Sequence, residues 1–547
     1  MSEPLSKPVG GVEARLDAVI VGAGFAGLYM LHRLRSLGFS ARVYEAGTGA
    51  GGTWFWNRYP GARCDVESLE YSYSFSEELD REWQWSERYA SQPEILRYLN
   101  HVADRFHLRR DIQFDTRVNS AHFDESTNLW NIHTDRRPPV SARFCIMATG
   151  CLSAAKTPEY KGIDTFQGNW YHTGNWPHEG VDFTGQTVAV IGTGSSGIQS
   201  IPIIAGQASH LYVFQRTPNF SIPAHNGPLS PQTTADWNAN RSAYRDQGRN
   251  TAFGILSVDS TDKSALEASP EERQHVYEQR WQRGGLAVAG AYTDILLVKE
   301  ANDTIADFVR SKIREIVRDP NTAEKMIPRD YPVGAKRLCV DTNYYATFNR
   351  DNVTLIDVRE SPIQEITPTG IRTSGGDYAL DSIVFATGFD AMTGALSHID
   401  LRGRDSLPLK QKWAAGPGAY LGIMAAGFPN LFLITGPGSP SVLSNMVISI
   451  EQHVDWIADC LAYLRNHNFP AIEAKLEAEN DWVQHVNDVA NQTLFPLANS
   501  WYIGANVPGK PRVFMPYVGG LPAYRQKCEE VVARNYEGFA LSAATTQ

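Results

Sequence analysis

The sequence predicts an α/β fold of two Rossmann-like dinucleotide-binding domains with a helical insertion. Three observations carry this. A strand–glycine turn–helix–strand unit occurs twice, at 17–45 and 187–216. Each unit has a matching later strand that ends in Ala-Thr-Gly, at 148–150 and 386–388. Between the second unit and its Ala-Thr-Gly strand lies a charged, helix-signalled stretch, 224–330. Alternating β and α signals of this kind belong to parallel sheets.

The elements follow in chain order. Residues 1–15 are rich in Pro, Gly and charge, and are expected to fray. Residues 17–21 (DAVIV) form a short apolar, β-branched run, read as a buried strand. Leu28, Leu31 and Leu34 share helical spacing, and 42–45 is the next strand. A strand at 143–147 leads into Ala148-Thr149-Gly150. In the second unit 187–191 is a strand, 196–205 a helix with a Pro interruption, and 211–214 a strand. In the insertion, Ser269-Pro270-Glu271-Glu272 starts a helix, with Ser as cap and Glu at the box position. Ile305, Phe308, Val309, Ile313 and Ile316 lie on one helical face, and Pro320 is expected to stop that helix. Strands return at 382–385 and 430–435. The resulting division is 1–150 with 385–547 as one discontinuous domain, 151–223 with 331–384 as a second, and 224–330 as the insertion.

Composition narrows the function. The 547 residues are 42% hydrophobic and 20% charged, ordinary for a folded chain of two or three domains. A net charge of −10 argues against a nucleic-acid footprint. No two of the six cysteines form a C-x-x-C pair, so no zinc or thioredoxin-type motif is indicated and no metal is expected. The first residues lack a signal peptide's apolar run, and no stretch reaches the ~18 apolar residues of a membrane span. A cytoplasmic protein without a membrane partner is the expectation, and a monomer fits it.

The first glycine turn is Gly22-Ala23-Gly24-Phe25-Ala26-Gly27. Gly22 permits the tight turn, Gly24 lets backbone approach a pyrophosphate, and Gly27 lets helix and strand pack closely. The N–H groups near Ala26 and the helix dipole favour phosphate. Glu45 closes the second strand, where its carboxylate can accept from ribose hydroxyls and would repel a 2′-phosphate. This unit calls for FAD or NAD. The second turn is Gly192-Thr193-Gly194-Ser195-Ser196-Gly197, continuing through Ile198 and Gln199. Arg216 stands where the first unit has Glu45, with Thr217 beside it. A guanidinium there can pair with a 2′-phosphate, so the second unit calls for NADPH. One nucleotide would then reduce the other. A disulfide reductase would need a cysteine pair; a simple reductase and oxygen chemistry both stay open.

Phe166-Gln167-Gly168-Asn169-Trp170-Tyr171-His172-Thr173-Gly174-Asn175-Trp176-Pro177 resembles the F-x-G-x-x-x-H-x-x-x-W-P signature of type I Baeyer–Villiger monooxygenases. Gly51-Gly52-Thr53-Trp54 through Tyr59-Pro60-Gly61 to Asp65 resembles a second long motif of the family. The resemblance spans nearly the whole chain. It implies FAD and NADPH as cofactors, with O2 and a ketone as co-substrates. In that scheme a C4a-peroxyflavin attacks the carbonyl, and the adduct rearranges to an ester or lactone. The substrates expected are aryl or cyclic ketones, with sulfoxidation as a side activity.

The resemblance also assigns residues. Arg337 is the active-site arginine and Asp65 the acid that holds it; both also face the cofactors. Thr53, Trp54, Phe55, Trp56, Tyr71 and Met446 line FAD, with Phe55 standing where Tyr is common. Thr193 to Gln199 cradle the NADP pyrophosphate, Lys336 supports Arg216, and Trp501 closes over the nicotinamide end. Residues 439–446 form a substrate-pocket loop, with Val442 where a smaller residue is usual. Taken alone, His172 reads as a core or domain-junction histidine, and Trp54 and Trp56 alternate as on a strand or loop. Two alternatives remain: an N- or S-oxidising flavin monooxygenase, and an NADPH-dependent flavin reductase that inserts no oxygen.

Overall fold

The computed structural model describes residues 15–542 apart from 157 and 260, so the N-terminal stretch expected to fray lies almost wholly outside the described residues. Leu16–Val21 pairs in parallel with Ala41–Tyr44 on one side and Val140–Met147 on the other. That sheet extends through Ile112–Gln113 at one end and through Leu129–Thr134, Val118–Asp124 and Asp400–Arg402 at the other. Leu431–Leu433 also pairs with Val140–Met147. The helix Phe25–Ser36 covers the sheet, burying Leu28, Leu31 and Leu34. It packs against the long helix Met446–Asn466, where the Tyr29 hydroxyl donates to Asp455 at 2.7 Å.

A second sheet has five parallel strands in the order Val353–Asp357, His210–Gln215, Thr187–Ile191, Ser382–Phe385 and Asn169–His172. The internal duplication has a physical basis. Gly22 has φ +105°, and a Cβ there would lie 2.6 Å from the Ala148 carbonyl oxygen. Gly192 has φ +109°, and its Cβ would lie 2.4 Å from the Ala386 oxygen. Each Ala-Thr-Gly strand is therefore the neighbour against which a glycine turn closes, and no larger residue fits that turn.

The stretch 224–330 carries the helices Pro231–Asn250, Pro270–Arg283, Lys299–Ile316 and Pro320–Met326. The Ser269 hydroxyl accepts from the Glu272 N–H, as the box pattern predicts. Three expectations need correcting. Pro320 does not stop a helix but opens one: Lys299–Ile316 has already ended, and the Asp319 carboxylate caps the next helix through the Thr322 N–H. Proline suits that first-turn position because no N–H is needed there. The helix Ser195–Gln207 continues past Pro202, with Ile198, Ile201 and Ile204 fully buried to offset the lost hydrogen bond. Trp54 and Trp56 lie on a short helix, Thr53–Trp56, rather than a strand or loop. Gly51 and Gly52, both at positive φ, turn the chain into it, and the Asn57 side chain donates to the Thr53 carbonyl. Among the described residues, no helix is long and apolar enough to cross a membrane.

Candidate active site

Helix starts in this fold are of two kinds, and both glycine turns have the uncapped kind. Helices beginning after Ser76, Ser230, Ser269 and Asp319 are capped by those side chains. The helices behind Gly24 and Gly194 have no capping side chain and no acid in the first turn. Their first internal bonds run from Leu28 to Gly24 and from Ile198 to Gly194. The N–H groups before them, including those of Ala26, Gly27, Ser195, Ser196 and Gly197, are left for an anion. Gly24 also nests against Gly52, whose α-carbon would lie 3.3 Å from a Cβ on Gly24. These donors fit a pyrophosphate at each turn. Ile198 needs correcting: its N–H is used by Gly194 and its side chain is fully buried, so it has no donor for a phosphate.

The residues that close the two units differ in charge as expected. Glu45 is buried, and its two oxygens accept from the Ala23 and Gly47 N–H groups at 2.7 Å each. Burial raises its pKa, while those two N–H groups pull it back. Each carboxylate oxygen keeps acceptor capacity for a hydroxyl. Arg216 is exposed and has no ion-pair partner among the described residues. Lys336 sits near it, with its ammonium 4.4 Å from the Tyr331 ring centroid. Burial, and next the Arg216 charge, lower the Lys336 pKa. Two cations held close, with Asp330 offsetting only part of the charge on Lys336, suit a dianion. The Thr193 hydroxyl donates to the Thr217 carbonyl at 3.1 Å.

Arg337 and Asp65 form a two-point pair. Nε donates to one carboxylate oxygen and Nη2 to the other, both at 2.7 Å, and Nη1 donates to the Val442 carbonyl at 2.9 Å. Burial works against the guanidinium charge, but Asp65 raises the pKa above its ordinary value. Tyr502, which the sequence reading passed over, lies close by: burial pushes its phenol up to about 12, with Arg337 pulling the other way. Its neighbour Trp501 packs on it at 4.4 Å between ring centroids. Tyr502, Val442, Leu443, Phe495, Phe514 and Met515 belong to one apolar cluster, against which Met446 and Trp501 pack.

The residues expected around a flavin gather behind the first glycine turn. Phe55 is buried against Gly47, Gly49 and Gly51, and no side chain fits at Gly47, where a Cβ would lie 2.7 Å from the ring. Trp54 is buried and its indole N–H donates to the Tyr71 hydroxyl at 3.2 Å. Thr53 is exposed and Trp56 half-buried. Met446 opens the helix that follows Asn445, whose side chain accepts from the Val447 N–H.

His172 of one long motif and Gln199 of the second glycine turn have structural partners. The His172 Nδ1 accepts from the Gly174 N–H, so Nε2 carries the proton toward Thr387 Oγ at 3.2 Å. Burial lowers its pKa to about 4, which makes it a neutral link between the motif and the Ala386-Thr387-Gly388 segment. Gln199 is committed elsewhere than a phosphate: its Oε1 accepts from the Tyr59 hydroxyl at 2.8 Å and its Nε2 donates to the Arg63 carbonyl at 3.1 Å. Gly61 packs there too, since a Cβ would lie 2.3 Å from the Gln199 carbonyl oxygen.

Residues 19–242 match a family model described as pyridine nucleotide-disulphide oxidoreductase. All six cysteines are free and buried, so the match reports the nucleotide scaffold and not a redox disulfide. A Baeyer-Villiger monooxygenase of Pseudooceanicola batsensis is 46% identical over 96% of each chain. A phenazine N-monooxygenase of Lysobacter antibioticus is 41% identical over 97% of each chain. A solved structure of oxidized steroid monooxygenase bound to NADP superposes with TM-score 0.93 at 54% identity, covering 97% of this chain and 100% of that one. A structure of OTEMO in complex with FAD and NADP superposes with TM-score 0.93 at 42% identity, covering 96% and 99%.

Proposed function

The chain belongs to the type I Baeyer–Villiger monooxygenases, an FAD- and NADPH-dependent enzyme family, and from that premise we propose a site and a substrate class for it. The substrates are aryl or cyclic ketones, with sulfides oxidised as a side activity. The observation that carries the reading is the two-point Asp65–Arg337 pair beside an apolar wall.

FAD, when bound, supplies the redox chemistry that joins NADPH and O2 to the ketone. The protein's part is positioning and charge. Asp65 and the Val442 carbonyl occupy three N–H directions of Arg337, and the remaining side, which the Tyr502 phenol also meets, is where a developing oxyanion would be held. A guanidinium fixed in this way needs no reorganisation as that charge forms. The phenol of Tyr502 borders the same space. Glu45 selects FAD by accepting from ribose hydroxyls. Arg216 and Lys336 select NADPH by facing the 2′-phosphate. Thr53, Trp54, Phe55, Trp56, Tyr71 and Met446 line the flavin, and Trp501 covers the nicotinamide end. His172 links elements and exchanges no proton with substrate, because its two ring nitrogens are taken by Gly174 and Thr387. The same reading divides the chain into an FAD domain (1–150 and 385–547), an NADP domain (151–223 and 331–384) and the insertion 224–330. The two separate sheets support that division.

A relative of similar identity is named for N-oxidation, so the substrate class needs its own test. Purified holoenzyme is given NADPH, 18O2 and a panel of ketones, amines and sulfides, and the products are read by mass spectrometry. Ester or lactone carrying one labelled oxygen, favoured with aryl and cyclic ketones, is the expected result. Labelled N-oxide as the main product, or peroxide alone, would overturn the reading.

A further inference from the structure

The insertion reaches into the wall that lines the flavin. Arg245, on the helix Pro231–Asn250, is a buried guanidinium. Its Nη1 donates to the Glu70 carbonyl at 3.3 Å and to the Ser72 carbonyl at 3.2 Å, the two carbonyls that flank Tyr71. Its Nη2 donates to the Ser72 hydroxyl at 2.7 Å and to Asp80 at 3.1 Å. The Asp80 carboxylate is shared between Arg245 and Arg241, and the Trp237 ring lies 5.2 Å from the Arg245 guanidinium carbon.

Further bonds from the same insertion hold the same strap. The Leu256 N–H donates to the Glu70 carboxylate at 2.7 Å. The Phe253 carbonyl accepts from the Asn445 N–H at 2.8 Å, and the Asn445 side chain donates to the Glu70 carbonyl at 2.9 Å. Arg249 donates to the Ser74 hydroxyl at 3.1 Å, and Glu451 accepts from the Ser74 N–H and hydroxyl at 2.6 Å each. Segment 70–75 and the turn before Met446 are therefore tied to one brace. A buried guanidinium is costly unless its donors are met, and here they go to Asp80, to the Ser72 hydroxyl and to the Glu70 and Ser72 carbonyls on either side of Tyr71.

We propose that Arg245 is a positioning residue for the flavin: it fixes the backbone on either side of Tyr71, and with Asn445 it sets the distance between Tyr71 and Met446. This rests on the reading of Tyr71 and Met446 as flavin-lining. The insertion then acts on the oxygen-transfer side through the protein's own backbone without touching cofactor or substrate. Its influence falls on the FAD side, because the hydrogen bonds of Arg245 run to the 70–80 segment and its charge also acts on Glu451 of the Met446–Asn466 helix.

The test uses Arg245→Met and the milder Ser72→Ala, with Arg245→Lys as the conservative variant. The readouts are the FAD dissociation constant on reconstitution, the visible circular dichroism of bound flavin, thermal unfolding of the apoprotein, and the KM for NADPH. Losing charged hydrogen bonds should weaken FAD by about tenfold or more in Arg245→Met. The flavin dichroism should change in Arg245→Met and Ser72→Ala, return partly with lysine, and leave the KM for NADPH within about twofold. If Arg245→Met fails to fold, Ser72→Ala alone decides. A fall in melting temperature with unchanged FAD affinity and dichroism overturns the proposal. Tyr71→Phe and Met446→Ala separate the premise: if they leave flavin dichroism and affinity untouched, the flavin-lining reading fails. If they alter both while Arg245→Met and Ser72→Ala alter neither, only the bracing role fails.

Discussion

Arg337 is shared between Asp65 and Val442: its Nε and Nη2 hold the carboxylate at 2.7 Å, and its Nη1 holds the Val442 carbonyl at 2.9 Å. One side chain thus joins the Asp65–Arg337 charge pair to the apolar cluster that we propose meets substrate.

Replacing Arg337 with Ala should cut ester formation by about 10²–10³-fold or more, as loss of an oxyanion donor does. Anaerobic bleaching of the bound flavin by NADPH should continue. Asp65→Asn should fall between wild type and Arg337→Ala, because the amide keeps one contact and loses the charge. Ester yield retained in Arg337→Ala would remove it from the mechanism.

Arg216→Ala should raise the KM for NADPH by about tenfold or more and change the KM for NADH little, since one charged contact to phosphate is worth ~1.5–3 kcal/mol. Lys336→Ala should act in the same direction. Steady-state kinetics with both coenzymes decide this, and equal losses with each would count against a 2′-phosphate contact.

Val442 is buried in the apolar cluster, and its carbonyl is held by Arg337. Val442→Ala should leave that carbonyl in place while opening the wall. Relative kcat/KM should shift toward bulkier ketones by about 1 kcal/mol, roughly fivefold, as expected for removed methyl groups. A ketone panel read by product yield checks the direction.

His453 is fully buried between the Thr435 N–H and the Tyr524 hydroxyl, and burial lowers its pKa to about 4. The unfolded chain takes up its proton near pH 6.5 and the folded one only near 4. The stability it supports is therefore present above about 6.5 and lost as pH falls toward 4, by at most ~3 kcal/mol. Denaturant unfolding of wild type and His453→Gln should show a stability difference that shrinks over this window. A constant difference would mean the ring is not protonated on unfolding.

The two glycine turns were legible because each needs fixed residue types: Gly22 and Gly192 at positive φ against an alanine carbonyl, and an acid or a base closing the second strand. The family resemblance paired Asp65 and Arg337 although 272 positions separate them. The strands Val118–Asp124 and Leu129–Thr134 escaped because their alternation is diluted by His, Asn and Ser on the half-exposed face. Val353–Asp357 escaped because four of its five residues are only half-buried at a sheet edge. Tyr502 and Arg245 carry no local pattern at all. Their roles depend on which distant backbone they meet, and spacing along the chain does not encode that.

The Gln199 side chain, bonded to the Tyr59 hydroxyl and the Arg63 carbonyl, has an implication for building hybrids. The nucleotide units look interchangeable between relatives because each has its own sheet. Yet this joint is a matched lock, with Gly61 pressed against the Gln199 backbone. A unit grafted from another member would have to bring a residue that reads tyrosine and carbonyl together, or the graft would assemble two sound halves that no longer keep a common alignment.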